Sequence, residues 1–228
     1  MKKIVTRQNN FIYLFVALFS ILFLTSWNQE LPSEAAKILF RISIVSMLLI
    51  GVLSLKTRRS WVWVVLALAA FNLLLFVLDA KFETIATTLS QLLIWFIFFT
   101  GSFWLSVRQI VESSIVDFNM MIGSIVLYLL LGLTWTTLYI LILMFFPDAL
   151  HGIAPDGDMH NILPQIIYYS FVTLTTLGYG DISANNGIAQ FLAYTEAIAG
   201  VFYIAVIVST LVSARIETVR NSNQELKS

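Results

Sequence analysis

Six long apolar runs, separated by short polar stretches, constrain this chain more than any other feature of its sequence. They cover about Phe11–Trp27, Ala36–Leu55, Trp61–Asp79, Thr84–Val107, Met120–Pro147 and Ile188–Arg215. An α-helix of about 20 residues crosses the ~30 Å hydrocarbon core of a bilayer. Hydrophobic residues make up 59% of the chain and charged residues 11%, whereas charged residues average about 25% in soluble domains. The pattern predicts an all-α membrane protein with six transmembrane helices.

The basic residues predict how these helices are oriented. Ten of the 13 Lys and Arg residues precede the first run or follow the second, fourth and sixth runs. Cytoplasmic loops carry the excess of Lys and Arg, so we expect a multi-pass protein of the cell membrane with both termini in the cytoplasm. Residues 1–26 also resemble a signal peptide, and their cleavage would leave the rest of this topology unchanged.

The composition also excludes several classes of chemistry. The chain has no Cys and a formal net charge of +0, which leaves no thiolate metal site and no electrostatic basis for nucleic-acid binding. No stretch indicates a nucleotide or cofactor site. Arg41 and Glu196 are the only charged residues well inside the apolar runs, and they make no acid–base pair. We therefore do not expect an enzyme.

A short loop between the last two runs has an unusual backbone pattern. Residues 173–181 read Thr-Leu-Thr-Thr-Leu-Gly-Tyr-Gly-Asp. Gly178 and Gly180 lack a Cβ and adopt positive φ as readily as negative φ, so alternating them with other residues lets successive carbonyls turn to one side of the chain. Four copies around an axis would stack rings of carbonyl oxygens that replace the hydration shell of a cation. The hydroxyl of Thr176 would add a further ring at the inner end.

This loop resembles the selectivity filter of potassium channels, which has the pattern Thr-x-Gly-Tyr-Gly. The resemblance implies a homotetramer in the lipid bilayer, with K⁺ as the permeant ion and no cofactor. It assigns the filter to Thr176, Leu177, Gly178, Tyr179 and Gly180, with K⁺ coordinated at the first four. Leu177 stands where Val or Ile is usual in the family, and we expect selectivity to survive this change.

Five residues are predicted to support the filter: Thr175, Asp181, Tyr168, Tyr169 and Glu196. Glu196 is included because it is an acid deep within an apolar run. The two tyrosines occupy the place of the Trp pair of voltage-gated potassium channels, so aromatic bulk is kept while the bracing hydrogen bonds change. Asn161 and Pro164 are first-turn signals for a short re-entrant pore helix that runs to Thr175.

The last apolar run is similar to the inner helix of that family. Gly200 stands at the hinge position, and Val201, Ile204 and Val208 share a helical face that would line the cavity. The Pro-x-Pro bend of many voltage-gated members is absent.

Glu196 allows two interpretations. At 100° per residue it lies roughly 140° away from Val201, which favours a site behind the filter, hydrogen-bonded to Thr173 or Thr175. In the alternative, the carboxylate faces the ion path as a cation site.

We expect four parts in the chain: a four-helix N-terminal bundle over residues 1–107, an amphipathic linker helix over 108–119, the pore domain over 120–215 and a short cytoplasmic tail over 216–228. The resemblance covers residues 120–215 well. It covers the first four apolar runs only in number and hydrophobicity, and these would form a bundle like a voltage sensor without its gating charges. The fourth apolar run contains no Lys or Arg between Lys81 and Arg108, which departs from the voltage-gated branch. The loop Asp148–His160 is a turret whose acids concentrate cations, a divalent-metal site, or a proton sensor through His151 and His160.

These features predict a potassium-selective channel that conducts passively and is not strongly gated by voltage. The alternatives are a non-selective cation channel on the same fold and a potassium transporter subunit. The gating stimulus stays open: lipid, tension, pH and a partner are all compatible with the sequence, and so is a constitutive leak.

Overall fold

A computed structural model of the chain describes residues 10–27, 59–79, 85–111, 118–153 and 159–209, together with the single positions 44, 46, 50, 212, 213 and 216. The helices are α1 Asn10–Trp27, α2 Arg59–Asp79, α3 Ile85–Val111, α4 Phe118–Phe145, α5 Met159–Leu174 and α6 Gly187–Phe202. A π-helical segment, Tyr203–Val208, continues α6. Two short strands, β1 Leu150–His151 and β2 Ser183–Ala184, flank α5 in the sequence. The predicted second helix, Ala36–Leu55, falls almost wholly outside the described residues.

Three of the described helices are long and apolar enough to cross a membrane. They are Ile85–Val111, Phe118–Phe145 and Gly187–Val206, the last formed by α6 with the start of its π-helical continuation. The apolar parts of α1 and α2, Phe11–Trp27 and Val62–Leu75, are shorter. The chain is a membrane protein, and the count of six spanning helices stays a prediction.

Helix α4 is the central element and packs against α1, α3, α5 and α6. Its glycines lie where neighbouring side chains come closest. A Cβ at Gly123 would lie 2.9 Å from the ring of Phe11, and one at Gly132 would lie 2.7 Å from the ring of Phe171. Ala at either position would therefore overlap an aromatic ring that packs against α4.

Only the two ends of the predicted amphipathic helix over residues 108–119 are described. Arg108 and Val111 belong to the last turn of α3, while Phe118 and Asn119 begin α4. Residues 112–117 lie outside the described part, so the linker helix stays a prediction. Asn119 accepts a hydrogen bond from the backbone N–H of Phe11 through Oδ1, at 3.1 Å, and so satisfies a free donor at the start of α1.

Helices of the predicted N-terminal bundle pack directly against helices of the predicted pore domain. Helices α1 and α3 both lie against α4, and α1 also contacts α5. Helix α2 packs against α3. Asn72 in α2 is fully buried, and its side-chain amide has no hydrogen-bond partner among the described residues.

The chain that follows the candidate filter forms strand β2, which pairs with β1 in a two-stranded sheet. Strands β1 and β2 pair antiparallel, with Leu150 opposite Ala184 and His151 opposite Ser183. Asn185 extends this contact, since its backbone N–H donates to the carbonyl of Ala149 at 2.8 Å. The chain that follows the candidate filter is therefore fixed to the chain that leaves α4.

Candidate functional site

The candidate filter follows a helix that is too short to cross a membrane. Helix α5 has 16 residues, or about 24 Å at 1.5 Å per residue, against the ~30 Å hydrocarbon core. It begins at Met159, earlier than the predicted start at Asn161, and Pro164 lies inside it. Pro lacks the backbone N–H of an interior helical position. The side-chain amide of Gln165 donates to the Asn161 carbonyl at 3.0 Å and adds a bond in this turn.

The backbone φ angle is positive at three alternating positions of the loop. Thr176, Gly178 and Gly180 have φ of 58°, 57° and 81°. Positive φ at the two glycines costs little. At Thr176 it is a strained conformation for a β-branched residue, and the sequence alone did not indicate it. Every second residue from Thr176 to Gly180 therefore has a left-handed backbone.

Backbone N–H groups of the loop donate hydrogen bonds to α5, whereas the carbonyl oxygens of residues 176–180 accept none from the described residues. The N–H groups of Leu177 and Gly178 both donate to the Val172 carbonyl, at 3.0 Å and 3.3 Å. No hydrogen bond from any described residue ends on a carbonyl oxygen of residues 176–180. These oxygens therefore remain available to a water molecule, to another hydrogen-bond donor or to a cation.

The loop is open to its surroundings on the single chain. Leu177 is 55% exposed and Tyr179 66% exposed. A Cβ built at Gly178 or Gly180 would meet no atom within 4 Å. A single chain thus presents the loop without enclosing it.

Tyr168 of α5 interacts with two residues of the loop, Tyr179 and Asp181. The rings of Tyr168 and Tyr179 are stacked, with centroids 6.4 Å apart and planes 6° apart. A hydrogen bond between the Tyr168 hydroxyl and the Asp181 carboxylate raises the pKa of Tyr168. The structure therefore brings together two of the predicted support residues and the filter tyrosine.

Tyr169 faces the protein interior from α5, whereas Thr175 is exposed just after the helix end. Tyr169 is buried, packs edge-on against Tyr139 with ring centroids 5.0 Å apart, and hydrogen-bonds to the side chain of Thr173. The hydroxyl of Thr175 donates to the carbonyl of Phe171 at 2.7 Å. Thr175 therefore satisfies a carbonyl at the C-terminus of α5.

Glu196 is fully buried on α6, away from the open loop. The hydroxyl of Tyr139 donates to Oε2 at 2.7 Å, and the hydroxyl of Ser170 lies 2.6 Å from Oε1. The predicted partners Thr173 and Thr175 are not bonded to it, so that part of the expectation is corrected. Sequence reasoning missed Ser170, although it lies three residues before Thr173 on one helical face. It had no signal for Tyr139, which is distant in the chain.

Gly200 lies against the end of α5. A Cβ there would overlap the carbonyl oxygen of Leu174, so Gly200 is required for the close approach of α6 to α5. Helix α6 continues through Gly200, and the departure from α-helical bonding begins at Tyr203. The hinge role of Gly200 stays a prediction, and a close-packing role is added to it.

The predicted cavity-lining residues lie on the open side of α6. Val201 and Ile204 are each 53% exposed on the single chain. The side chain of Val208 lies outside the described residues.

The predicted turret is only partly described. His151 is exposed at the end of β1, whereas residues 154–158 and the side chain of His160 lie outside the described part. Among the residues that the structure describes, no group of three or more His, Cys, Asp or Glu side chains is placed to hold a metal ion. The metal-site and proton-sensor alternatives stay predictions.

Comparison with known proteins identifies the class of this region. Residues 127–217 match the family model described as an ion channel. The match covers less than half of the chain and reaches from α4, through α5 and the loop, to beyond the π-helical segment. No solved structure matches the chain significantly. The family match favours a channel over an enzyme, and it indicates that residues 127–217 form an ion-channel domain of a membrane protein.

Proposed function

We propose that the chain is one subunit of a homotetrameric, potassium-selective channel that conducts K⁺ passively and uses no cofactor. One observation carries the proposal. The loop Thr176–Gly180 alternates left-handed backbone positions, and its carbonyl oxygens accept no hydrogen bond from the described residues.

Unused carbonyl oxygens favour a dehydrated monovalent cation. A ring of such dipoles replaces the hydration shell of the ion. The proposed coordinating positions are Thr176, Leu177, Gly178 and Tyr179, with the Thr176 hydroxyl at the inner end. Helix α5 ends next to this loop, and the negative end of its dipole favours a cation nearby.

The exposure of the loop supports a tetramer. A filter strand encloses an ion only when other copies face it, and both Leu177 and Tyr179 are more than half exposed on the single chain. We propose that three further copies cover the open side of the loop and of α6. Mass measurement of conducting preparations would show only monomer or dimer if this is wrong.

Weak voltage dependence is the third part of the proposal. Helix α3 carries no basic residue before Arg108 in its last turn. Moving one charge across the membrane is worth about 2.3 kcal/mol per 100 mV, and α3 lacks such charges within the bilayer. The proposed topology places both termini in the cytoplasm.

The test is reconstitution of the purified protein in planar bilayers between solutions of different K⁺ and Na⁺ content. The expected result is unitary current that reverses near the potassium equilibrium potential. Equal permeability to K⁺ and Na⁺ would establish the non-selective alternative. Potassium flux without unitary current steps would instead favour the transporter alternative, and either result overturns the proposal.

A further inference from the structure

A buried carboxyl joins the three helices that surround the candidate filter. Glu196 of α6 is 0% exposed. It contacts Tyr139 of α4 and Ser170 of α5 through its two oxygens, at 2.7 Å and 2.6 Å. Ser170 also reaches the Gly132 carbonyl of α4 at 2.8 Å. Four polar groups from three helices thus form one connected cluster.

No positive charge compensates the carboxyl. Its hydrogen-bond partners are two neutral hydroxyls, and no Lys, Arg or His side chain among the described residues pairs with it. The titratable groups near it are the three tyrosines Tyr128, Tyr139 and Tyr169. An ionised carboxylate at this depth would have to be stabilised by hydroxyl groups alone, which is costly in a buried site.

The number of protons available for hydrogen bonds in the cluster also favours a protonated Glu196. The cluster contains three close oxygen–oxygen pairs: Tyr139 with Oε2, Ser170 with Oε1, and Ser170 with the Gly132 carbonyl. Each pair needs one proton, and the two hydroxyls supply one each. A carboxylate only accepts, so in the ionised form one pair is left without a proton. A protonated Glu196 donates to Ser170, which then donates to Gly132, while Tyr139 donates to the other carboxyl oxygen.

We infer that Glu196 is held protonated and, together with Ser170 and Tyr139, forms a hydrogen-bonded clamp that positions the filter from behind. This inference rests on the proposed channel function. The three side chains are positioning residues and do not touch the ion path.

The clamp acts on the filter through the end of α5. Ser170 lies two residues before Val172, whose carbonyl binds the N–H groups of Leu177 and Gly178. The surrounding contacts are tight, because Gly132 and Gly200 allow α4 and α6 to approach this end of α5 closely. A shift of Ser170 therefore moves the anchor of the loop.

Infrared spectroscopy tests the protonation state without requiring conduction. Wild-type protein and Glu196→Gln are compared in lipid at neutral pH. The expected difference spectrum shows a protonated carboxylic C=O stretch that the variant lacks. A difference spectrum with carboxylate bands alone overturns the inference.

Recordings test whether the clamp positions the filter. Ser170→Ala and Tyr139→Phe each remove one hydroxyl of the clamp, and we expect potassium current to decay severalfold faster in low external potassium. Glu196→Gln should behave as wild type, because an amide donates to Ser170 and accepts from Tyr139 as the neutral acid does. Glu196→Leu, which cannot do either, should behave as Ser170→Ala.

Tyr203→Phe is the matched control. The hydroxyl of Tyr203 also joins α6 to α4, by donating to the Ser124 carbonyl, but it does not contact Glu196. We expect its current to decay at the wild-type rate. Equal effects of Tyr203→Phe and Tyr139→Phe, or a Glu196→Gln variant as impaired as Glu196→Leu, would overturn the positioning role.

The two levels of the proposal fail separately. Wild-type current without potassium selectivity refutes the proposed function, while the infrared result still decides whether Glu196 is protonated. Selective wild-type current that is unchanged by Ser170→Ala, Tyr139→Phe and Glu196→Leu refutes the clamp alone. Where Ser170→Ala or Tyr139→Phe does not assemble, the comparison of Glu196→Gln with Glu196→Leu still decides the positioning role. The infrared comparison of Glu196→Gln with wild type still decides the protonation state.

Discussion

Replacing Gly200 by Ala separates a packing role from a hinge role at the most constrained position of α6. The added Cβ would overlap the carbonyl oxygen of Leu174, which is a backbone atom. That oxygen is also held by the hydroxyl of Tyr128, at 3.2 Å. The overlap can therefore be relieved only by separating α6 from α5.

The expected size of the effect follows from two opposing terms. Overpacking costs typically about 1–3 kcal/mol, and overlap with an anchored backbone atom places this change at the upper end. Ala gains up to about 1 kcal/mol over Gly inside a helix. The net loss is about 2 kcal/mol, which lowers Tm by roughly 4–8 °C for a chain of this length.

The assay is thermal unfolding of the purified protein in detergent, with Gly187→Ala as the control. A Cβ at Gly187 would meet no atom within 4 Å, so the control adds the same methyl group in open space and should leave Tm nearly unchanged. If Gly200→Ala is as stable as wild type and alters only channel opening, the packing argument is refuted and the hinge prediction remains.

Three further predictions concern the filter and its surroundings. Gly178→Ala should abolish selective current while Gly187→Ala keeps it, because a Cβ at Gly178 is strained at φ 57°; retained selectivity in bilayer recordings would contradict this. Glu196→Val should destabilise the tetramer in a thermal dissociation assay by roughly 1–3 kcal/mol for each hydroxyl left unpaired, and a stability equal to wild type would argue against the bonds at Glu196. Tyr168→Phe should speed the decay of current in low external potassium, since it removes the hydrogen bond to Asp181; decay at the wild-type rate would show that ring stacking alone braces the loop.

The apolar runs and the filter motif could be read from the sequence because both are local properties. The length of an apolar run decides whether a helix can cross a bilayer. Helices α3 and α4 follow the predicted runs closely, and α6 begins within one residue of its predicted start. The glycines at 178 and 180 adopt the positive φ that their missing Cβ allows. The N-cap of α6 is Asn186, whose side chain accepts from the Ala189 N–H at 2.8 Å. Such caps depend on neighbouring residues alone.

Two local features of the loop and of α5 were not predicted, because residue type alone does not indicate them. The strained φ of Thr176 arises where the loop leaves α5 and bonds back to it, and residue type alone predicts the opposite. The linker helix over residues 108–119 stays a prediction, since residues 112–117 lie outside the described part. The start of α5 before Asn161 was missed because Pro164 indicated a first turn and instead lies inside the helix.

The sequence by itself determined that this protein lies in a membrane, and it located the loop whose backbone resembles a potassium filter. Both follow from the order of residues over short stretches. Only the tertiary structure decided what Glu196 binds and what Gly200 contacts. Tyr139, Ser170 and Leu174 reach those two positions from α4 and α5, and no local pattern encodes which side chains three packed helices bring together.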